Sequence, residues 1–116
     1  MDKILVIGAG GQLGTELTKA LADQYGKDSV IATDFQASAG SKFEYCAFQT
    51  LNVMDKASLA SVVEKEGVTQ IYHLAAILSA LGEKNPVQAW DLNMGGLLNV
   101  LEVAIDHKIE KIFWPS

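Results

Sequence analysis

A chain of 116 residues is the size of one domain, long enough to bury roughly 65% of its unfolded surface around a core of its own. Its net charge of −5, with every cation a lysine and no basic stripe, argues against a nucleic-acid partner. A single cysteine excludes an internal disulfide and a cysteine-built metal site, and the longest apolar stretch is too short to span a bilayer.

The chain opens on an uninterrupted apolar run, Ile4-Leu5-Val6-Ile7, the pattern of a strand buried on both faces. This strand starts so close to Met1 that no leader segment is expected, and the protein is read as cytoplasmic. Gly8, Gly11 and Gly14 follow it, and Gln12 to Tyr25 reads as a helix with Leu13, Leu17, Ala20, Leu21 and Gln24 along one side. Strand, glycine turn and helix together form a device for holding a pyrophosphate. Gly8 permits the tight turn, Gly11 lets backbone N–H groups approach the phosphates, and Gly14 lets the helix lie close on the sheet. A second apolar run, Ser29 to Thr33, ends at Asp34, at the interval from the turn where a carboxylate accepts the hydroxyls of an adenosine ribose. A 2′-phosphate placed there would meet that carboxylate with no arginine to offset it, so NAD is expected over NADP.

Phe35 to Lys42 lacks periodicity and reads as loop. Phe43 to Phe48 alternates like a third strand, which makes Cys46 a small apolar strand residue, and Leu51-Asn52-Val53 reads as strand end and loop. Asp55 is placed to cap a helix from Lys56 to Glu66, with Leu59, Val62 and Val63 inward and Gly67 closing it. Gln70 to Leu74 is the fourth strand, Ala75 to Glu83 a loop of small apolar residues, and Asn85-Pro86 the opening of the longest helix.

Along that helix Trp90, Met94, Leu97, Leu98, Leu101, Ala104 and Ile105 fall at helical spacing. Leu92, Val100 and Val103 widen the apolar arc beyond what one sheet face needs. Trp90 and Met94 are therefore read as core or interface, and the excess predicts a second partner, either a later part of the chain or another subunit, with a homodimer through the 86–106 helix as the expected assembly. Lys111 to Trp114 is a fifth strand. Strands alternating with helices predict an α/β fold, a doubly wound parallel sheet of order 3-2-1-4-5. The cofactor would lie across the carboxyl ends of the strands, the edge to which Asp34, Asn52, Ala76 and Ser116 point.

Three groups of residues resemble the extended short-chain dehydrogenase/reductase superfamily, the UDP-galactose 4-epimerase-like enzymes. Gly8, Gly11 and Gly14 match its G-x-x-G-x-x-G turn, His73-Leu74-Ala75-Ala76 its strand-4 ending, and Asn93 with Gly96 its N-x-x-G helix. The run from His73 to Val103, with K-I-F-W-P-S at the end, resembles the NAD-dependent L-threonine 3-dehydrogenases of that superfamily. The resemblance implies a Rossmann-type fold, here incomplete: residues 1–116 would be the NAD-binding domain, the N-terminal portion of a longer enzyme. It implies oxidation of L-threonine at C3 to 2-amino-3-oxobutyrate, a step of threonine catabolism, with hydride passed to NAD. A nucleotide-sugar epimerase or dehydratase of the same superfamily, or a non-catalytic NAD-binding module, are the alternatives.

The family's chemistry needs a tyrosine, a lysine four residues after it, and a serine that orients the substrate oxygen. Four positions beyond Tyr25, Tyr45 and Tyr72 stand Ser29, Gln49 and Ala76, and the chain ends on the first serine of the family's P-S-S run. No catalytic residue is therefore expected within 1–116, and the chain alone is expected to be inactive. The cofactor-binding residues implied are Gly8, Gly11, Gln12, Leu13 and Gly14 on the first turn, Asp34 and Phe35 after the second strand, Asn52 and Val53 after the third, Leu74, Ala75 and Ala76 after the fourth, and Asn93 on the long helix. Asn52 stands where many members have aspartate, but its side-chain oxygen can still accept a bond from the adenine amino group. Ser79 is the substrate-binding candidate, Asn93 is expected to bond backbone at the strand ends, and His73 is read as a satisfied core histidine. No metal site is expected.

Overall fold

Ile4–Ile7 form β1, and all four side chains are buried, alternately on opposite faces of the sheet. The computed structural model describes residues 2–75 and 86–114. β2 (Val30–Asp34) and β3 (Ala47–Thr50) flank β1 on one side, β4 (Gln70–His73) and β5 (Lys111–Phe113) on the other. Every pairing is parallel and the order is β3-β2-β1-β4-β5, the order the strand–helix alternation predicts.

Two apolar layers hold the sheet. On one face Leu5, Ile7, Ile31 and Ile71 lie beneath α2 (Lys56–Glu66) and α3 (Pro86–Asp106), which contribute Leu59, Val63, Val100 and Val103. On the other, Ile4, Val6, Val30 and Ala32 lie beneath α1 (Gln12–Tyr25), which contributes Leu21 and Ala22, with Phe43 beside them. With both faces covered over β1 and β2, those two central strands read as apolar runs.

α1 has the expected bounds but a different inner stripe. Gly14, Thr18, Leu21 and Ala22 are buried, whereas Leu13, Ala20 and Gln24 are exposed. The reason is Gly14: a Cβ there would stand 2.5 Å from the Gly8 carbonyl oxygen. That contact sets which side faces the sheet, and Leu13, about 100° around the helix, turns outward.

β3 also departs from expectation. It spans Ala47–Thr50, and Phe43 instead ends a 3-10 helix, Ala37–Phe43, in the stretch that reads as loop. Phe43 is buried and stacks on Phe48, with ring centroids 5.8 Å apart and planes at 4°. A tight helical turn brings the two rings together, which an extended strand through both would not do. Cys46 accordingly precedes the strand; it is half-buried, and burial pushes its thiol pKa up.

α2 has the expected bounds. The Asp55 carboxylate accepts the backbone N–H of Ser58 at 3.2 Å and its hydroxyl at 2.8 Å, and Gly67 closes the helix at φ +64°. In α3 the residues expected to widen the arc are the inner ones. Val100 and Val103 are buried, with Ala104 and Gly96, while Trp90, Leu98 and Ile105 are exposed. Trp90 is thus not a core residue. A Cβ on Gly96 would lie 3.0 Å from Val53, so the helix turns Gly96 and the residues in line with it toward the sheet. The expected loop from Ala75 to Glu83 beyond its first residue, Asn85 and the Ser116 end lie outside the described residues.

Candidate functional site

The glycine turn is tied to β2 by one residue. The Thr33 carbonyl accepts the N–H groups of Gly8 and Ala9 at 3.0 and 2.9 Å, and the Thr33 hydroxyl donates to the Val6 carbonyl at 2.7 Å. Gly8 has φ +79°, and a Cβ there would stand 2.6 Å from the Ala75 nitrogen, so only glycine lets the end of β4 close against the turn. Asp34, the last residue of β2, faces the turn: Oδ2 accepts the Gly10 N–H at 2.8 Å and Oδ1 the Gln36 N–H at 2.9 Å. From the end of the 3-10 helix, Lys42 Nζ donates to the Gly10 carbonyl at 2.9 Å.

Gly11 is the N-cap of α1, and the space beside it is open, the nearest atom to a built Cβ being 3.9 Å away. No side chain caps the helix and its first turn holds no acid. An uncapped helix N-terminus behind open space offers backbone N–H groups and a positive dipole end to an anion, so the residues present fit a dinucleotide diphosphate.

These elements wall a cleft of 660 Å³ over the carboxyl ends of the strands, a volume suited to a small-molecule ligand. Gly8, Gly11, Asp34, Phe35, Asn52, Val53, Leu74, Ala75 and Asn93 line it, all of them cofactor candidates from the sequence. Gln12, Leu13 and Gly14 do not: Gly14 is buried under the turn, and Gln12 and Leu13 face outward. Ala76 and Ser79 lie outside the described residues. Sequence reasoning missed Gly10, Gln36, Ser38, Lys42 and Met54, which also line the cleft. Gly10 had a signal, being a further glycine in the same run; the others sit on segments without periodicity.

Asn52 Oδ1 accepts the Met54 N–H at 3.0 Å, which shapes the loop after β3 and leaves one lone pair for another donor. Asn99 of α3 secures that loop, donating to the Val53 carbonyl at 2.9 Å. His73 is a core residue but not a satisfied one. It is 5% exposed and lies beneath Gly96, and among the described residues its Nδ1 has no hydrogen-bond partner. Burial pushes its pKa below the usual imidazole range. Among the described residues no group of His, Cys, Asp and Glu could hold a metal ion, and no helix is long and apolar enough to cross a membrane.

The family model described as NAD dependent epimerase/dehydratase family matches residues 4–116. An uncharacterized epimerase/dehydratase of Staphylococcus saprophyticus is 48% identical over all of this chain, which covers 36% of its length. Among solved structures, a GalE-like L-threonine dehydrogenase from Cupriavidus necator, in a holo form, is 50% identical with a TM-score of 0.92 over 98% of this chain and 36% of its own. The L-threonine dehydrogenase from Clostridium difficile is 44% identical with a TM-score of 0.91 over 100% of this chain and 36% of its own. The chain thus spans about a third of the length of the relatives it matches.

Proposed function

The chain belongs to the NAD dependent epimerase/dehydratase family, whose cofactor is NAD, and from that premise we propose that it is the cofactor-binding part of a cytoplasmic L-threonine 3-dehydrogenase. The observation that carries the substrate is the likeness to two L-threonine dehydrogenases across nearly the whole chain. When bound, NAD supplies a hydride acceptor for the C3 carbon of the substrate alcohol. The chain's own residues bind and orient. The Gly11 end of the turn and the α1 N-terminus hold the diphosphate through backbone N–H groups, those of Gly8 and Ala9 being taken by the Thr33 carbonyl. Asp34, already turned toward the cleft, exchanges its bond to Gly10 for the ribose hydroxyls. Asn52 accepts from the adenine amino group, and Ala75 is small enough to let the nicotinamide ribose approach.

Residues 1–116 act as an NAD-binding domain and leave proton transfer to residues elsewhere. No tyrosine in the sequence has a lysine four positions after it, so this chain binds NAD without turning over threonine. The second reading, a nucleotide-sugar epimerase or dehydratase, is favoured by the name of the staphylococcal relative.

The test begins with the coding sequence beyond Ser116. A Tyr-x-x-x-Lys is expected there, and the full gene product is expected to form NADH from NAD and L-threonine. Interconversion of a nucleotide sugar without net NADH would favour the second reading. A stop codon directly after Ser116, with NAD bound by the short chain, would make it a non-catalytic module.

A further inference from the structure

Among the described residues that line the cleft, Lys42 is the only cation and Asp34 the only anion. The two are not an ion pair; the pairs within 4 Å among the described residues are Lys19–Asp23 and Lys56–Glu102. Instead they hold Gly10 from opposite ends of the residue, Asp34 Oδ2 accepting its N–H at 2.8 Å and Lys42 Nζ donating to its carbonyl at 2.9 Å. The position of Lys42 follows from its neighbour. Phe43 is locked in the core by its stack on Phe48, so the last turn of the 3-10 helix delivers residue 42 to the glycine turn. An ammonium has three donors, and its partner here is a neutral carbonyl. The result is a positive charge at the adenosine-ribose end of the cleft with no carboxylate upon it.

We propose that Lys42 is a second determinant of cofactor choice, a phosphate-reading cation whose attraction for a 2′-phosphate is overridden by Asp34. The inference rests on the NAD reading above. The two charges act oppositely at one place: the carboxylate accepts a ribose diol and repels a phosphate, and the ammonium attracts the phosphate. With both present the diol is preferred. With Asp34 neutral, the cation is left to decide, and a single charge change moves the site toward a 2′-phosphate.

The test is a double-mutant cycle on the full 116-residue chain: the wild type, Asp34→Asn, Lys42→Gln and the double variant. Each is titrated calorimetrically with NAD and with NADP, which differ only in the 2′-phosphate. Asparagine keeps an oxygen for the Gly10 N–H, and Asp34→Ser carries the same comparison if Asp34→Asn melts early. Asp34→Asn should tighten NADP by about tenfold or more, and adding Lys42→Gln should remove most of that gain. In the Asp34→Asn background, Lys42→Gln should weaken NADP by more than it weakens NAD. A gain that survives Lys42→Gln overturns the proposal, as does no gain at all. Equal weakening of both nucleotides would put Lys42 on the diphosphate and overturns it too. A wild-type chain that binds neither nucleotide removes the NAD reading itself; wild-type NAD binding with a flat cycle removes only the role of Lys42.

Discussion

A methyl group added at Gly11 and one added at Gly14 would have opposite consequences, although both residues serve the same turn. At Gly14 it would stand 2.5 Å from the Gly8 carbonyl oxygen and 2.7 Å from that of Ala9, both backbone atoms that cannot step aside. Gly14→Ala should therefore lower stability by about 2 kcal/mol or more. At Gly11 nothing lies within 3.9 Å, and φ is −72°, so alanine fits the backbone. Gly11→Ala should cost about 1 kcal/mol or less of stability while reducing NAD affinity at least about tenfold, because the methyl takes the space proposed for the diphosphate. Thermal melts and NAD titrations of the pair separate the two effects. A Gly11→Ala chain that binds NAD like the wild type would show that the diphosphate does not lie over this turn. His73 adds a pH dependence. Burial holds its folded pKa below the usual imidazole value of about 6.5, so below that pH the unfolded chain takes up a proton that the folded chain resists. Stability is full above the unfolded pKa and falls as pH drops toward and through the folded one. The urea midpoint should be lower at about pH 5.5 than at about pH 7.5, and His73→Leu should flatten that difference. An undiminished slope in His73→Leu would assign it to other groups.

Elements whose cause is local were legible in the sequence. β1 is an apolar run bounded by a glycine, α2 lies between a capping aspartate and a left-handed glycine, and the bounds of both match their expected spans. Elements whose cause lies in distant contacts were not. The alternation from Phe43 to Phe48 imitates a strand, but the stack of those two rings requires a turn between them. The inner face of α3 is chosen by the approach of Gly96 to Val53, a contact with a residue on the far side of two other elements. The site divides the same way. Asp34 is legible because its place at the end of an apolar run is a local property. Lys42 is not, because it reaches the cleft only through a 3-10 helix that tertiary packing creates.

At the scale of the molecule, two apolar surfaces remain uncovered among the described residues. One is the outer side of α3, where Val87, Trp90, Leu98 and Ile105 are exposed, Ile105 by 77%. The other is the β4–β5 end of the sheet, where Tyr72 and Phe113 stack at 4.6 Å and Phe113 and Trp114 stay open to solvent. Area of this kind is costly to leave in water, and the relatives are about three times as long, so the 116-residue chain should cover part of it by self-association. The helix is the expected contact, since its exposed residues recur at turn spacing and can lie against a second copy of themselves. Sedimentation velocity should show mass rising with concentration. Leu98→Glu combined with Ile105→Glu should restore a monomer, and because both side chains face solvent the melting temperature of that monomer should be nearly unchanged. A wild-type chain that sediments as a monomer at all concentrations would remove the helix from any role in assembly. Association that persists in the glutamate variant but is lost in Phe113→Lys would move the contact to the open end of the sheet.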